Sequence, residues 1–185
     1  MQVTPQIFPE VLLIEPKVFR DRRGHFLEIF QARRYQGVGL PAAFVQDNVS
    51  FSRKGVVRAL HYQLQFPQGK LVIPLTGEIW DVVVDIRRGS PTFGKHLAVT
   101  LTAEPCRQLY VPPGFAHGFA VVSQSATVLY KVTDFYHPED EYGIIWNDPD
   151  LAIPWPVAEP LLSDKDLNSP RLREMPPEKL PVYSQ

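Results

Sequence analysis

The chain has 185 residues, 44% of them hydrophobic, which suits one domain able to bury about 70% of its unfolded surface without disulfide or metal staples. Its 19 Lys and Arg nearly cancel 20 Asp and Glu, which excludes a bulk basic field for nucleic acid or an anionic membrane and leaves any anionic ligand to local cations. The lone Cys106 excludes an intramolecular disulfide, and no run of about 18 apolar residues marks a membrane span.

In chain order, the first ten residues carry neither a basic n-region nor a long apolar run, so no secretory signal is read and a cytoplasmic location is expected. A strand is predicted over 11–19, followed by a helix over 28–36 that stops at Gly37. Short apolar or alternating segments, bounded by Gly, Pro, Asn or Asp, then predict strands over 56–63, 70–74, 78–86, 96–101, 107–111, 119–122 and 127–132. After Ile153 the chain becomes Pro-rich and reads as an irregular tail, in which Ser163 caps a turn through Lys165 and Asp166. Strands this short and this evenly spaced predict a mainly β sandwich or barrel, one domain over 1–185.

Period-2 alternation assigns faces. In 78–86 it sends Trp80, Val82, Val84 and Ile86 to an apolar face and Ile79, Asp81, Val83 and Asp85 to a mixed one. Ionised carboxylates are seldom buried without partners, so Asp81 and Asp85 are expected in water. In 56–63 strict alternation places Val57, Ala59, His61 and Gln63 opposite Arg58, Leu60 and Tyr62. Bringing Arg58 and His61 into one pocket would require a bulge, a strand end or a ligand reaching around an edge.

Two histidines stand out, His61 in Arg58-Ala-Leu-His-Tyr-Gln63 and His117 in Pro112-Pro-Gly-Phe-Ala-His117. Paired imidazoles in a pocket can hold a metal or move protons. The segment Pro112-x-Gly114-x-x-His117 resembles the second motif of cupin barrels. The first cupin motif is degraded: His61-Tyr62-Gln63 lacks the second histidine, and Phe66 or Pro67 falls where a glutamate ligand would be. Two imidazoles are too few for a secure site, so neither metal nor cofactor is expected. His25, His96 and His137 are read as surface or structural.

The motifs 19–28, Gln46-Asp-Asn48, Val57–Gln63, Gln68-Gly-Lys-Leu71, Arg87–Gly94, Pro112–Phe119, Tyr130-Lys131 and Leu162–Asp166 occur together, in one order, along nearly the whole chain. In this the chain resembles the dTDP-4-dehydrorhamnose 3,5-epimerase family. The resemblance implies a cupin-type jelly roll, a homodimer, no metal and a dTDP-linked 4-keto-6-deoxyhexose as substrate. It departs at Ala59, where the family usually has Gly, and at Phe135-Tyr136, where it usually has a Tyr pair.

The chemistry such an enzyme performs explains the residue types. Hydrogens on C3 and C5 lie beside the C4 carbonyl, so removing either gives an enolate, and reprotonation from the opposite face inverts the carbon. A base titrating near neutrality suits His61, and the resemblance gives it Asp166 as orienting carboxylate. Lys70 is the candidate for the enolate oxygen. The resemblance assigns the opposite-face acid to Tyr130, whose ordinary pKa keeps it protonated at pH 7. Arg23, Arg58 and Lys165 are candidate diphosphate ligands. Gln46, Asn48, Glu28, Glu141 and His117 are expected at substrate, and Phe26 and Tyr136 as stacking surfaces for the base. The resemblance also implies that part of the N-terminal segment reaches a neighbouring subunit's site.

Overall fold

The computed structural model describes residues 1–184. Its strands run β1 (Gln2–Pro5), β2 (Leu12–Glu15), β3 (Val18–Asp21), β4 (Gly24–Leu27), β5 (Gln46–Arg53), β6 (Val57–Gln63), β7 (Lys70–Thr76), β8 (Glu78–Asp85), β9 (His96–Thr102), β10 (Gln108–Val111), β11 (Phe115–Val121), β12 (Ser125–Val132) and β13 (Glu141–Gly143). Helices are few and short: α1 (Ala32–Gln36), α2 (Asp164–Leu167) and three single 3-10 turns. The predicted strand over 11–19 breaks into β2 and β3 around Pro16, which cannot donate to a ladder. The predicted helix shrinks to α1, capped at its start by Gln31 and ended at Gly37.

Two antiparallel sheets face each other as a jelly roll. One has the order β1-β2-β10-β7-β12-β5, the other β13-β6-β11-β8-β9, and β3 and β4 form a separate hairpin. The sheets stay open rather than hydrogen-bonding into a closed barrel. Alternation along the strands splits the apolar side chains into three packed layers. Val72, Ile79, Val83, Leu101, Leu109 and Val121 fill the space between the sheets. Tyr35 and Leu40, from α1 and the loop after it, cover Ile14, Leu71 and Ile73 on the outside of the six-stranded sheet. The Pro-rich tail packs Leu151, Leu172, Met175 and Leu180 against Val82, Val84 and Ile86 on the outside of the five-stranded sheet. The tail thus wraps the domain, and the apolar face predicted for β8 is the one it covers.

The mixed face of β8 does not meet water. Asp81 and Asp85 are both fully buried, Asp81 against one donor and Asp85 among several. His117 takes both oxygens of Asp81 at 2.9 Å. The side chains of Arg87, Ser90 and Thr92 surround Asp85 at 2.6–2.9 Å. For Asp85 these donors outweigh the desolvation that makes an isolated carboxylate prefer the surface, and its pKa is lowered, whereas for Asp81 burial wins and its pKa is raised.

Strict alternation also fails in β6, where the structure supplies the bulge that a shared pocket requires. Its register with β11 runs His117↔His61 and then Phe119↔Arg58, so three β6 residues answer two of β11. Ala59 and Leu60, joined by a cis peptide, both enter the outer core with Tyr62. Arg58 and His61 are left on the inner side together. Gly118 makes room for this crowding: a Cβ there would collide with that of Ala59 and lie 2.7 Å from the Arg58 carbonyl oxygen. The methyl group of Ala59 is therefore accommodated by the absence of one across the strand.

Candidate active site

The inner faces of the two sheets enclose a cavity of about 700 Å³. Outside the bulged β6, its walls follow from strand periodicity. On β5 alternate residues Gln46, Asn48 and Ser50 point inward, β7 supplies Lys70, β12 supplies Tyr130, and the opposite sheet supplies Arg58, His61 and His117. Tyr136, Glu141, Lys165 and Asp166 close one side.

His61 and Asp166 meet across 105 residues of sequence. Ser163 accepts from the backbone N–H of Asp166 at 3.2 Å and starts α2, the capping that the sequence indicated. This one turn carries the Asp166 carboxylate to 2.6 Å from His61 Nε2. Asp166 is buried and His61 is half-buried, so the carboxylate holds the ring from behind while one edge faces the cavity. With Nε2 engaged, Nδ1 is the nitrogen left to take a proton.

Lys70 enters from the facing sheet, its ammonium 3.5 Å from the His61 carbonyl oxygen. Crowding by protein drives its pKa down to about 8, against the opposing pull of Glu141 and Asp81. Burial likewise raises the Tyr130 phenol, with Arg58 opposing and Glu141 reinforcing. Tyr130 therefore holds its proton firmly at neutral pH. His117, which the sequence analysis expects at substrate, lies within β11 and is tied to buried Asp81. Burial pushes the Asp81 carboxyl up, while His117 and then Lys70 pull it back.

The mouth is polar. Arg58 is exposed, donates Nε to Ser52 Oγ at 3.0 Å, and has no carboxylate partner among the described residues. Lys165 and the Tyr136 hydroxyl both engage Glu141 Oε2, the hydroxyl at 2.7 Å. Gln46 bridges Asn48 at 2.8 Å and the Tyr136 backbone N–H at 3.0 Å. Three expected ligands are not brought here within the chain. Arg23 pairs with Asp21 at the tip of the β3–β4 hairpin, Phe26 on the same hairpin is 69% exposed, and Glu28 pairs with Arg34. The hairpin is tied to the body through Arg20 and Glu104, and none of the three lines the cavity.

Sequence reasoning missed Asp81 as the support of His117, and missed Ser50, whose buried hydroxyl has no hydrogen-bond partner and whose residue lines the cavity. Reading Gln46, Asn48 and Ser50 as alternate positions of one strand would have found Ser50. Among the described residues, no three His, Cys, Asp or Glu side chains converge as metal ligands would.

A sequence profile of the dTDP-4-dehydrorhamnose 3,5-epimerase family matches residues 5–174. The chain belongs to this family. It is 53% identical over 168 residues to the dTDP-4-dehydrorhamnose 3,5-epimerase of Pseudomonas aeruginosa, covering 90% of this chain and 93% of that one. The Shigella flexneri enzyme of the same name is 54% identical over 170 residues, with 91% and 94% covered. A crystal structure of dTDP-6-deoxy-D-glucose-3,5-epimerase from Legionella pneumophila in complex with dTDP-4-keto-L-rhamnose superposes with a TM-score of 0.97 at 50% identity, over 100% of this chain and 99% of that one. A 3'-monoepimerase from Streptomyces bikiniensis, in complex with dTDP-quinovose, has a TM-score of 0.85 at 36% identity, with 91% and 87% covered. This epimerase is thus an isomerase of dTDP-rhamnose biosynthesis with the mainly β fold its relatives share.

Proposed function

We propose that the cavity binds dTDP-4-dehydro-6-deoxy-D-glucose and inverts C3 and C5 in turn, giving dTDP-4-dehydro-L-rhamnose. His61 Nδ1 takes the proton from the carbon beside the ketone, and Asp166 stabilises the resulting imidazolium. The electron pair moves onto the ketone oxygen, where the Lys70 ammonium meets the enolate. Tyr130 then donates its proton to the other face of the same carbon. The observation that carries this reading is the His61–Asp166 pair at 2.6 Å in one cavity with Lys70 and a phenol held protonated.

The diphosphate is met at the mouth by Arg58 and by Lys165, which must share or leave Glu141 to do so. Gln46, Asn48, Tyr136 and Glu141 contact the sugar and nucleoside, and His117 lies against the sugar. Each of the reaction's proton transfers has a side-chain donor or acceptor and the enolate has an ammonium, so no metal enters the mechanism.

The working unit in this proposal is a homodimer. Support comes from the outward face of edge strand β5, where Val49 and Phe51 are 63% and 62% exposed, more apolar surface than a solvated edge normally shows. Arg23, Phe26 and Glu28 would then complete the cavity of a second copy. A doubly charged nucleotide sugar does not cross a bilayer unaided, which supports action in the cytoplasm.

Incubation with dTDP-4-dehydro-6-deoxy-D-glucose in D2O, followed by NMR, tests the proposal. Deuterium at C3 and C5 with the L-rhamno configuration is the expected result. Label at one carbon would make the protein a mono-epimerase, and no label would reject the reaction on this substrate.

A further inference from the structure

Double inversion on one bound sugar poses a problem that a single inversion does not. After the first inversion His61 holds one proton too many, as imidazolium, and Tyr130 holds one too few, as phenolate. Neither can act again until His61 has lost that proton and Tyr130 has regained one.

We propose that His117, supported by Asp81, is the relay that resets the acid and the base between the two inversions. This rests on the double-epimerase reading above. The geometry that points to it is a second His–Asp pair set directly against the first. His61 and His117 are register partners on adjacent antiparallel strands and line the same cavity, and side chains so placed start from Cβ atoms about 4.5–5.5 Å apart. Each ring engages a buried carboxylate through Nε2, His61 with Asp166 at 2.6 Å and His117 with Asp81 at 2.9 Å. Among the described residues neither Nδ1 has a hydrogen-bond partner, and both residues line the same cavity.

The proton count closes. Asp81 holds the proton of neutral His117 on Nε2 and leaves an Nδ1 lone pair. His61 passes its extra proton from Nδ1 to that lone pair, directly or through one water. His117 becomes the imidazolium, and the buried Asp81 carboxylate stabilises its charge. The proton then leaves His117 Nδ1 through cavity water to the Tyr130 phenolate, which restores both neutral His61 and the phenol. Water in the path exchanges with solvent, so both inverted carbons still acquire deuterium in D2O. Lys70 stands beside this route and biases it: its positive charge favours a proton moving off toward Tyr130 over one resting on His117.

Single-turnover quenched flow in D2O with enzyme in excess tests the relay, using Asp81→Asn, which keeps the shape of the carboxylate and removes its charge. The quantity read is the rate of the second inversion divided by that of the first. A fall of at least tenfold, with a singly inverted, singly labelled sugar accumulating, is the expected result. Equal slowing of both inversions would make Asp81 merely structural and overturn the proposal. If Asp81→Asn lacks a cooperative thermal transition, His117→Gln decides by the same ratio, and an unchanged ratio there refutes the relay. Failure of the unmodified protein to label either carbon would instead reject the epimerase reading itself.

Discussion

Replacing Asp166 with Asn isolates what a carboxylate charge contributes to the base. The amide retains an oxygen that can accept from His61 Nε2, so the 2.6 Å contact and the ring orientation survive. What disappears is attraction between the carboxylate and the imidazolium formed as the proton leaves carbon. At about 4 Å between charge centres and an effective dielectric near 20, that attraction is about 4 kcal/mol. The His61 side chain is 23% exposed, so water screens part of it and about 3 kcal/mol remains. At 1.36 kcal/mol per decade this predicts a loss of roughly 100-fold in kcat. KM should change by less than about threefold, because the charge matters only once the proton has moved. The assay is initial-rate deuterium incorporation at C3 and C5 by NMR in D2O. A rate within threefold of the unmodified protein would refute the assignment of Asp166 as charge support for the base.

Other consequences are equally direct. Lys70 has a pKa held at about 8, below its ordinary value, and in the proposed mechanism only its protonated form stabilises the enolate. Activity should therefore fall as pH rises through about 8, and a kcat/KM profile of Lys70→Arg should lack that alkaline limb because guanidinium stays charged. Gly118→Ala, which drives a methyl into Ala59 and the Arg58 carbonyl, should destabilise the fold by about 1–3 kcal/mol in urea unfolding. Adding Ala59→Gly should recover part of that loss. Phe51→Glu should disrupt the proposed homodimer in sedimentation velocity while leaving the thermal transition in place, since Phe51 is exposed in the single chain.

Legibility of the fold varied with the type of pattern each strand carried. Strands β7, β8 and β12 were readable because Val, Ile and Leu recur within them. Strand β5 escaped notice because its inner face is polar, Gln46, Asn48 and Ser50 facing a ligand cavity rather than a core. A period-2 search for burial cannot see a strand whose inward side chains are hydrophilic. Strand β11 was read four residues short because Gly118 and His117 interrupt its apolar run, one for close packing and the other for the site. Both failures fall at the functional site, where side-chain choice answers to the ligand before the core.

By itself the sequence determined the strand-rich character, the irregular Pro-rich tail, the capping of α2 by Ser163 and the residue types the chemistry needs. These are local properties, carried by alternation, Pro and Gly placement, side-chain acid–base character and motif order. Only the tertiary structure decided that Asp81 and Asp85 are buried, that Arg58 and His61 share a face, and that His61 meets Asp166 while His117 meets Asp81. Burial of a charge depends on partners that arrive from other strands, and a facing direction depends on register, which one bulge in β6 resets for every residue beyond it. Neither quantity is a property of any stretch of chain taken alone.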